Sequence, residues 1–353
     1  MRITVLEVIS GLGLGGAERA FLNRLRHVPD NFKTIILNTR PELNFWKAPP
    51  DFHQVKISRK KFSFIWRAKA FLAETKPDLI IVRTPVDLII MSLLKIFTNQ
   101  TFKLVFEAHS MRISNNRYLE CVLYVPLSWS IRRADLTIAV SESVSLGPQS
   151  RYSKRTVVSY LGADIDIRSR LTKSVVFLFV GRFTALKQPL LLLDALLSMK
   201  SDFELANAKM VFLGAGELEV EMKNFVVSKK LSSIVSILGY QRDLNSFYSD
   251  ADYLVSTSRY EGLPISFFEA KLHGLKIITT PSSGNFDILT SDDTLLPNFS
   301  RASIVSALSD AVKLGPISLE DRDFIRRKSS WMNSESCSRE YYKILQTELI
   351  PRN

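Results

Sequence analysis

Short runs of aliphatic and β-branched residues alternate along the whole chain with longer amphipathic stretches, and this alternation restricts the fold more than any other feature. Residues 3–9, 34–37, 79–82, 103–107, 136–140 and 156–160 read as strands. A second series begins at 175–180 and continues at 210–213, 235–238, 253–256 and 276–279, with helical patterns such as 189–199 between its members. Strands that alternate with helices predict parallel sheets covered by helices, an α/β architecture. A polar segment from Leu161-Gly162-Ala163-Asp164 to Lys173 separates the two series. With 353 residues the chain suits two domains. The expected division is a Rossmann-like domain over 1–165, a second over 174–330, and a terminal helix over 331–353 whose Trp331, Tyr341 and Tyr342 pack near the junction. In such domains ligands bind beyond the carboxyl ends of the strands, so two facing sheets would form a cleft there.

Composition removes several classes. No apolar stretch approaches the roughly 18 to 20 residues that span a bilayer. Cys121 and Cys337 are the two cysteines, far apart and outside any Cys/His cluster, so neither a disulfide framework nor a zinc site is expected. The reading is a cytoplasmic protein. The net charge of +12 is carried entirely by the first half: residues 1–170 hold 26 Lys/Arg against 14 Asp/Glu, residues 171–353 hold 21 of each. A basic half points to an anionic partner.

The first strand runs into Gly11-Leu12-Gly13-Leu14-Gly15-Gly16, then an apolar-periodic helix. Glycines admit a phosphate close to the backbone, and free N–H groups at a helix start attract anions. The loop also spells GxGxxG, which raises an NADP-dependent oxidoreductase as an alternative. Against it, the second strand ends in Asn38-Thr39-Arg40, without the acidic residue that would hold a ribose.

The segment Ser258-Arg259-Tyr260-Glu261-Gly262-Leu263-Pro264-Ile265-Ser266-Phe267-Phe268-Glu269 follows a strand. Pro264 suits a first helical position and Gly274 a helix exit. Glu261 would then stand in the loop mouth and Glu269 about two turns into the helix, roughly 8 to 10 Å away along its axis. Two carboxylates at that span can grip two hydroxyl-bearing parts of one ligand while helix N–H groups face an anion between them. The plain alternative is a solvated loop glutamate and a helix-face glutamate paired with a lysine.

These two glutamates, with seven residues between them in EGLPISFFEA, resemble the EX7E signature of the retaining glycosyltransferases of family GT4, which have the GT-B fold. GLGLGGAERA, His109 in FEAHS, LGAD, VGRFTALKQP, LGAGE, LGYQRDL and DYLVSTSRYEGLP resemble other segments of that family in the same order. The resemblance implies that Glu261 contacts donor-sugar hydroxyls and Glu269 the ribose diol. It implies that Arg182 and Lys187 neutralise the diphosphate leaving group, and that His109 lies near the reacting carbon. Gly15, Gly16, Gly214 and Tyr240 would join the donor site, as would Gly262, Leu263, Ile265 and Ser266. Retention in this family is ascribed to attack on the donor's own face, so Glu107, inside a strand, is read as structural rather than as a nucleophile. Gly284-Asn285-Phe286-Asp287 departs from the family, in which a second glycine and a glutamate are common.

Asp164-Ile165-Asp166 and Asp321-Arg322-Asp323 match DxD but are read as incidental, so no cofactor and no essential divalent metal is expected. The segment 56–69 interleaves cations with aromatics, and Arg59, Lys60, Lys61, Phe64, Trp66 and Arg67 suit a surface touching anionic lipid. Each cation there would contribute on the order of 1 kcal/mol; a basic helix with its aromatics in the core is the plain alternative. No recognisable reading module supports nucleic acid as a partner. The resulting expectation is a transferase from a nucleotide-sugar donor to a lipid-linked or polysaccharide acceptor in bacterial surface-glycan assembly, peripheral to the inner face of the membrane. A noncatalytic nucleotide-sugar or polyanion-binding protein is the other alternative.

Overall fold

The computed structural model describes residues 2–13, 15–60, 63–98, 100–110, 117–171, 173–282, 284 and 286–349. The chain divides into two compact units, one of residues 1–162 and 334–353, the other of residues 163–333.

The first unit begins with β1 (Ile3–Ile9), α1 (Gly16–Leu25), β2 (Phe32–Asn38) and β3 (His53–Lys56). It continues through α2 (Phe64–Thr75), β4 (Leu79–Val82), α3 (Pro85–Thr98) and β5 (Lys103–Ala108). Then come α4 (Arg117–Ile131), β6 (Leu136–Ala139), α5 (Glu142–Ser145) and β7 (Thr156–Val158). Its seven strands are parallel in the order β3-β2-β1-β4-β5-β6-β7. The edge strand β3 was not legible in the sequence, because HQVK is short, polar and only half buried.

The second unit holds β8 (Val176–Val180), α6 (Pro189–Ser198), α7 (Lys200–Leu205), β9 (Lys209–Leu213), α8 (Glu219–Ser228) and β10 (Val235–Gly239). After these come α9 (Asn245–Asp250), β11 (Tyr253–Ser256), α10 (Ile265–Leu272), β12 (Lys276–Thr279), β13 (Thr294–Leu295), α11 (Arg301–Leu314) and α12 (Leu319–Lys328). The six strands are parallel in the order β10-β9-β8-β11-β12-β13. Aromatic side chains fill its core, with Phe177 stacked on Tyr253 and Phe179 against Phe183 and Phe212.

Two boundaries differ from the expected ones. The polar segment after Gly162 is not a loose connection. The Asp166 N–H donates to the Asn245 side chain, the Arg168 N–H to Ser249 Oγ, and the Arg170 guanidinium forks onto Asp252, which stitches the segment to the second unit. The last helix, α13 (Ser334–Leu349), belongs to the first unit. Its Tyr341, Tyr342, Leu345 and Leu349 pack with Val5, Leu79, Ile81 and Leu136. Trp331 stays in the second unit, edge-on to Phe268.

In each sheet the strand order reverses once, between β1 and β4 and between β8 and β11. The reversal sends successive connections to opposite faces and leaves the loops beyond the two central strands side by side.

Candidate functional site

The reversal in the second unit brings together loops far apart in sequence. The loop after β8 carries Gly181, Arg182 and Lys187, and the loop after β11 carries Ser258 and Glu261. Lys187 Nζ forms an ion pair with Glu261 Oε1, and Ser258 Oγ donates to the same oxygen at 2.7 Å. Neither charged side chain is solvated in the ordinary way: Lys187 is 19% and Glu261 11% exposed. The solvated loop glutamate is thereby set aside. The two loops are also tied through the backbone. Thr257 Oγ1 lies 2.9 Å from the Lys187 carbonyl and 3.0 Å from that of Gln188, while the Arg259 N–H donates to the Leu186 carbonyl. Gln188 takes a left-handed conformation (φ 49°) to turn the chain into α6. Arg182 is exposed at the start of the loop.

Neighbouring loops crowd this one. At Gly214, φ is +149° and a Cβ would fall 1.8 Å from the Gly181 carbonyl oxygen, so only glycine fits beside the β8 loop. Tyr240 follows β10, and the Gly214 N–H donates to the Gly239 carbonyl. Gly262 is pressed by Gly284, whose N–H donates to the Glu261 carbonyl.

Helix α10 begins at Ile265, with Pro264 in the capping position one residue earlier than expected, and Gly274 ends it at φ +80°. Its first turn carries Ile265 and Ser266, and Leu263 is buried ahead of it. Glu269 is 4% exposed. The Tyr248 hydroxyl donates to Glu269 Oε2 at 2.8 Å, and the Tyr248 ring stacks on His273 at 5.2 Å. Burial pushes the His273 pKa down, favouring the neutral ring, whose Nδ1–H donates to the Glu269 carbonyl at 2.8 Å. Lys271, fully buried, is paired with Asp293 at 2.6 Å, and the Ile277 N–H donates to the same carboxylate, which fixes the helix to β12. Sequence reasoning did not find Tyr248. It sits on a six-residue helix too short to show a period.

In the first unit His109 follows β5, and its Nε2 lies 2.8 Å from Glu107 Oε1. Glu107 is 1% exposed and takes further hydrogen bonds from Arg24 Nη2 at 2.9 Å, Arg83 Nε at 3.3 Å and the Tyr341 hydroxyl at 2.8 Å. Burial alone would raise its pKa, but Arg24, Arg83 and the His109 contact outweigh that and hold it well below the usual carboxylate range. An ionised Glu107 accepts, so Nε2 is the protonated nitrogen of His109. A carboxylate committed to four donors is a poor nucleophile. The Gly15 and Gly16 loop opens α1, and the Glu18 carboxylate occupies the space a Gly15 Cβ would take. The helix start thus already faces an anionic group of its own chain.

Within the basic segment the structure corrects one residue, Phe64. Phe64 is 4% exposed and belongs to the core, not to a contact surface. Arg59 is paired with Asp87 at 3.1 Å and Lys60 with Glu42 at 3.2 Å. Trp66 and Arg67 are exposed, and Lys61 lies outside the described residues. In the two DxD matches, Asp166 pairs with Arg168 and Asp323 with Arg326. Among the described residues no helix is long and apolar enough to cross a membrane.

Two parallel-sheet α/β units, with seven strands in one and six in the other, define the GT-B class of fold. Residues 164–329, nearly the whole of the second unit and a little under half of the chain, match the family described as glycosyl transferases group 1. A similar protein is the Escherichia coli UDP-Gal:alpha-D-GlcNAc-diphosphoundecaprenol alpha-1,3-galactosyltransferase, 30% identical over 113 residues, which is 32% of this chain and 29% of that protein. The GalNAc-alpha-(1->4)-GalNAc-alpha-(1->3)-diNAcBac-PP-undecaprenol alpha-1,4-N-acetyl-D-galactosaminyltransferase of Campylobacter jejuni is 25% identical over 74% of this chain and 75% of its own. The match to the first relative thus spans less than a third of its length, that to the second three quarters. Among solved structures, Anabaena HepE in complex with UDP and glucose superposes with a TM-score of 0.80 over 98% of this chain and 100% of that one, at 14% identity. The apo form of the lipopolysaccharide outer core galactosyltransferase WaaB gives 0.74 over 99% and 100%, at 17% identity. At these identities the likeness is one of fold.

Proposed function

We propose that this chain transfers a sugar, with retained anomeric configuration, from a nucleotide-sugar donor to a hydroxyl of a lipid-linked or polysaccharide acceptor in surface-glycan assembly. The observation that carries the reading is the Lys187–Glu261 pair beside the start of α10, with Glu269 eight positions further on. Departure of a nucleoside diphosphate develops negative charge. Lys187, Arg182 and the first N–H groups of α10 are preorganised donors for it, the arrangement that lowers such barriers without a metal ion. Glu261, oriented by Lys187 and Ser258, accepts from donor-sugar hydroxyls, and Glu269, held by Tyr248, from the ribose. His109, fixed through Nε2 by Glu107, contacts the sugar near the reacting carbon. No protein nucleophile is assigned, in keeping with attack on the donor's own face. The names of the two relatives, both acting on undecaprenol-linked glycans, support the acceptor class and with it a place at the membrane surface.

A thermal-shift panel of UDP, GDP, ADP, CDP and NADP, with and without magnesium, tests the reading, because a ligand of the native state raises the midpoint by mass action. One nucleoside diphosphate raising it without magnesium is the expected result, followed by transfer from the matching labelled donor into a lipid extract. A shift with NADP alone would overturn it.

A further inference from the structure

Helices α3 and α4 lie side by side on the first sheet, and each is apolar on two sides. One side of each is buried, with Leu88, Met91 and Leu94 on α3 and Leu127 and Ile131 on α4. The other side faces outward. There Phe97 is 73% and Val125 71% exposed, joined by Leu93, Ile96 and Val122. A soluble helix ordinarily carries one such stripe, and a continuous exposed patch marks a contact surface.

The chemistry around the patch indicates what it meets. Arg132 and Arg133 follow α4 directly and are exposed; the Arg133 guanidinium lies 4.4 Å over the Trp129 ring and that of Arg132 5.1 Å over Tyr152, whose ring in turn meets Tyr124 edge-on. The two helices carry two carboxylates, Asp87, which is buried, and Glu120, whose side chain lies outside those described, against the exposed arginines that follow α4. Apolar tips, a rim of Tyr and Trp, and cations beside them are the signature of a surface that lies in a lipid headgroup layer. The unit that bears the patch holds 27 Lys/Arg against 15 Asp/Glu, the other unit 20 of each. Two copies of such a basic face repel, whereas an anionic bilayer attracts it.

We propose that the outward face of α3 and α4, with Phe97 and Val125 at its centre and Arg132 and Arg133 at its rim, docks this protein on an anionic bilayer. The inference deepens the reading above by naming the face on which the membrane of a lipid-linked acceptor lies, and it moves that face away from the 56–69 segment. In that segment Arg59 and Lys60 are already paired and Phe64 is internal.

Flotation of the intact protein with vesicles of phosphatidylcholine, alone or mixed with phosphatidylglycerol, tests it. The protein should float with the mixed vesicles. Phe97→Ser with Val125→Ser should weaken that binding about tenfold or more, since partitioning scales with the apolar area inserted. Both positions are exposed, so the circular dichroism and thermal midpoint of the variant should stay unchanged. Arg132→Ser with Arg133→Ser should remove the preference for the anionic lipid. Full flotation of the Phe97/Val125 variant, or a dimer in sedimentation that these substitutions disperse, would overturn the proposal. The vesicles carry no sugar acceptor, so loss of transfer activity with flotation intact would strike the functional reading alone. Transfer to a short soluble acceptor without flotation of the parent protein would strike this one alone.

Discussion

Glu107→Ala should destabilise the first unit by about 4 kcal/mol. The carboxylate is 1% exposed and stands between Arg24 and Arg83, whose side chains are 7% and 10% exposed, leaving Glu7 as the remaining anion for both guanidinium groups. Removing one partner of a buried ion pair costs about 3–5 kcal/mol, because the charge left behind stays desolvated. The Tyr341 hydroxyl also loses its acceptor, a loss of about 1 kcal/mol that Tyr341→Phe should show by itself. For a unit of this size a loss of about 4 kcal/mol corresponds to a midpoint lower by about 8–16 °C. Tryptophan fluorescence in a Trp331→Phe background reports on this unit, since Trp46, Trp66 and Trp129 lie in it. The pH dependence gives a second check. Glu107 titrates lower folded than unfolded, so its contribution is complete above the ordinary carboxyl value of 4.5 and is lost as pH falls through the depressed folded value. The stabilities of parent and Glu107→Gln should therefore differ by a constant amount above about pH 4.5 and converge as the pH falls below it. A loss below about 1 kcal/mol at neutral pH would mean that water screens the cluster, and would refute the reasoning.

Glu261→Ala should abolish most sugar transfer in a protein that still folds, with some loss of stability from the unpaired Lys187, and unaltered turnover would remove its assignment. Lys187→Ala should lower kcat about a hundredfold, the scale of one lost preorganised donor, near 3 kcal/mol; a loss confined to thermal stability would make it structural. Gly214→Ala should cost about 3 kcal/mol in unfolding experiments, because the new methyl would meet the Gly181 carbonyl at 1.8 Å in a backbone conformation that disfavours a side chain. Burial pushes the Cys337 thiol up to about 12, so in a Cys121→Ser background a thiol reagent at pH 8 should label it only on unfolding.

Much of this architecture could be read from the chain. Strands at Leu79–Val82, Tyr253–Ser256 and Lys276–Thr279 appear with the bounds their aliphatic runs predicted, and helix α6 with one residue fewer. Such runs are legible because a strand buried on both faces needs continuous apolar side chains. The segment from Ser258 to Gly274 was legible for a related reason. Gly262, Pro264 and Gly274 mark the loop and the helix ends through their backbone preferences, which no tertiary contact is needed to express. His53–Lys56 escaped notice because an edge strand is held by ladder hydrogen bonds, which carry no hydrophobic pattern.

Partnership was a different matter. The family resemblance picked out Glu261 and Lys187 separately; only the strand reversal between β8 and β11 set them in contact across 74 positions. Glu269 looked like a helix-face residue until Tyr248 and the packing of α10 buried it. The basic, aromatic segment 56–69 invited a surface role, yet helix packing turned Phe64 inward and left the bare apolar stripe on α3 and α4 instead. Period and propensity are properties of neighbours along a chain and so survive in the sequence. Which face of a helix is covered, and which charge answers which, depends on elements far apart in the chain, and only folding brings those together.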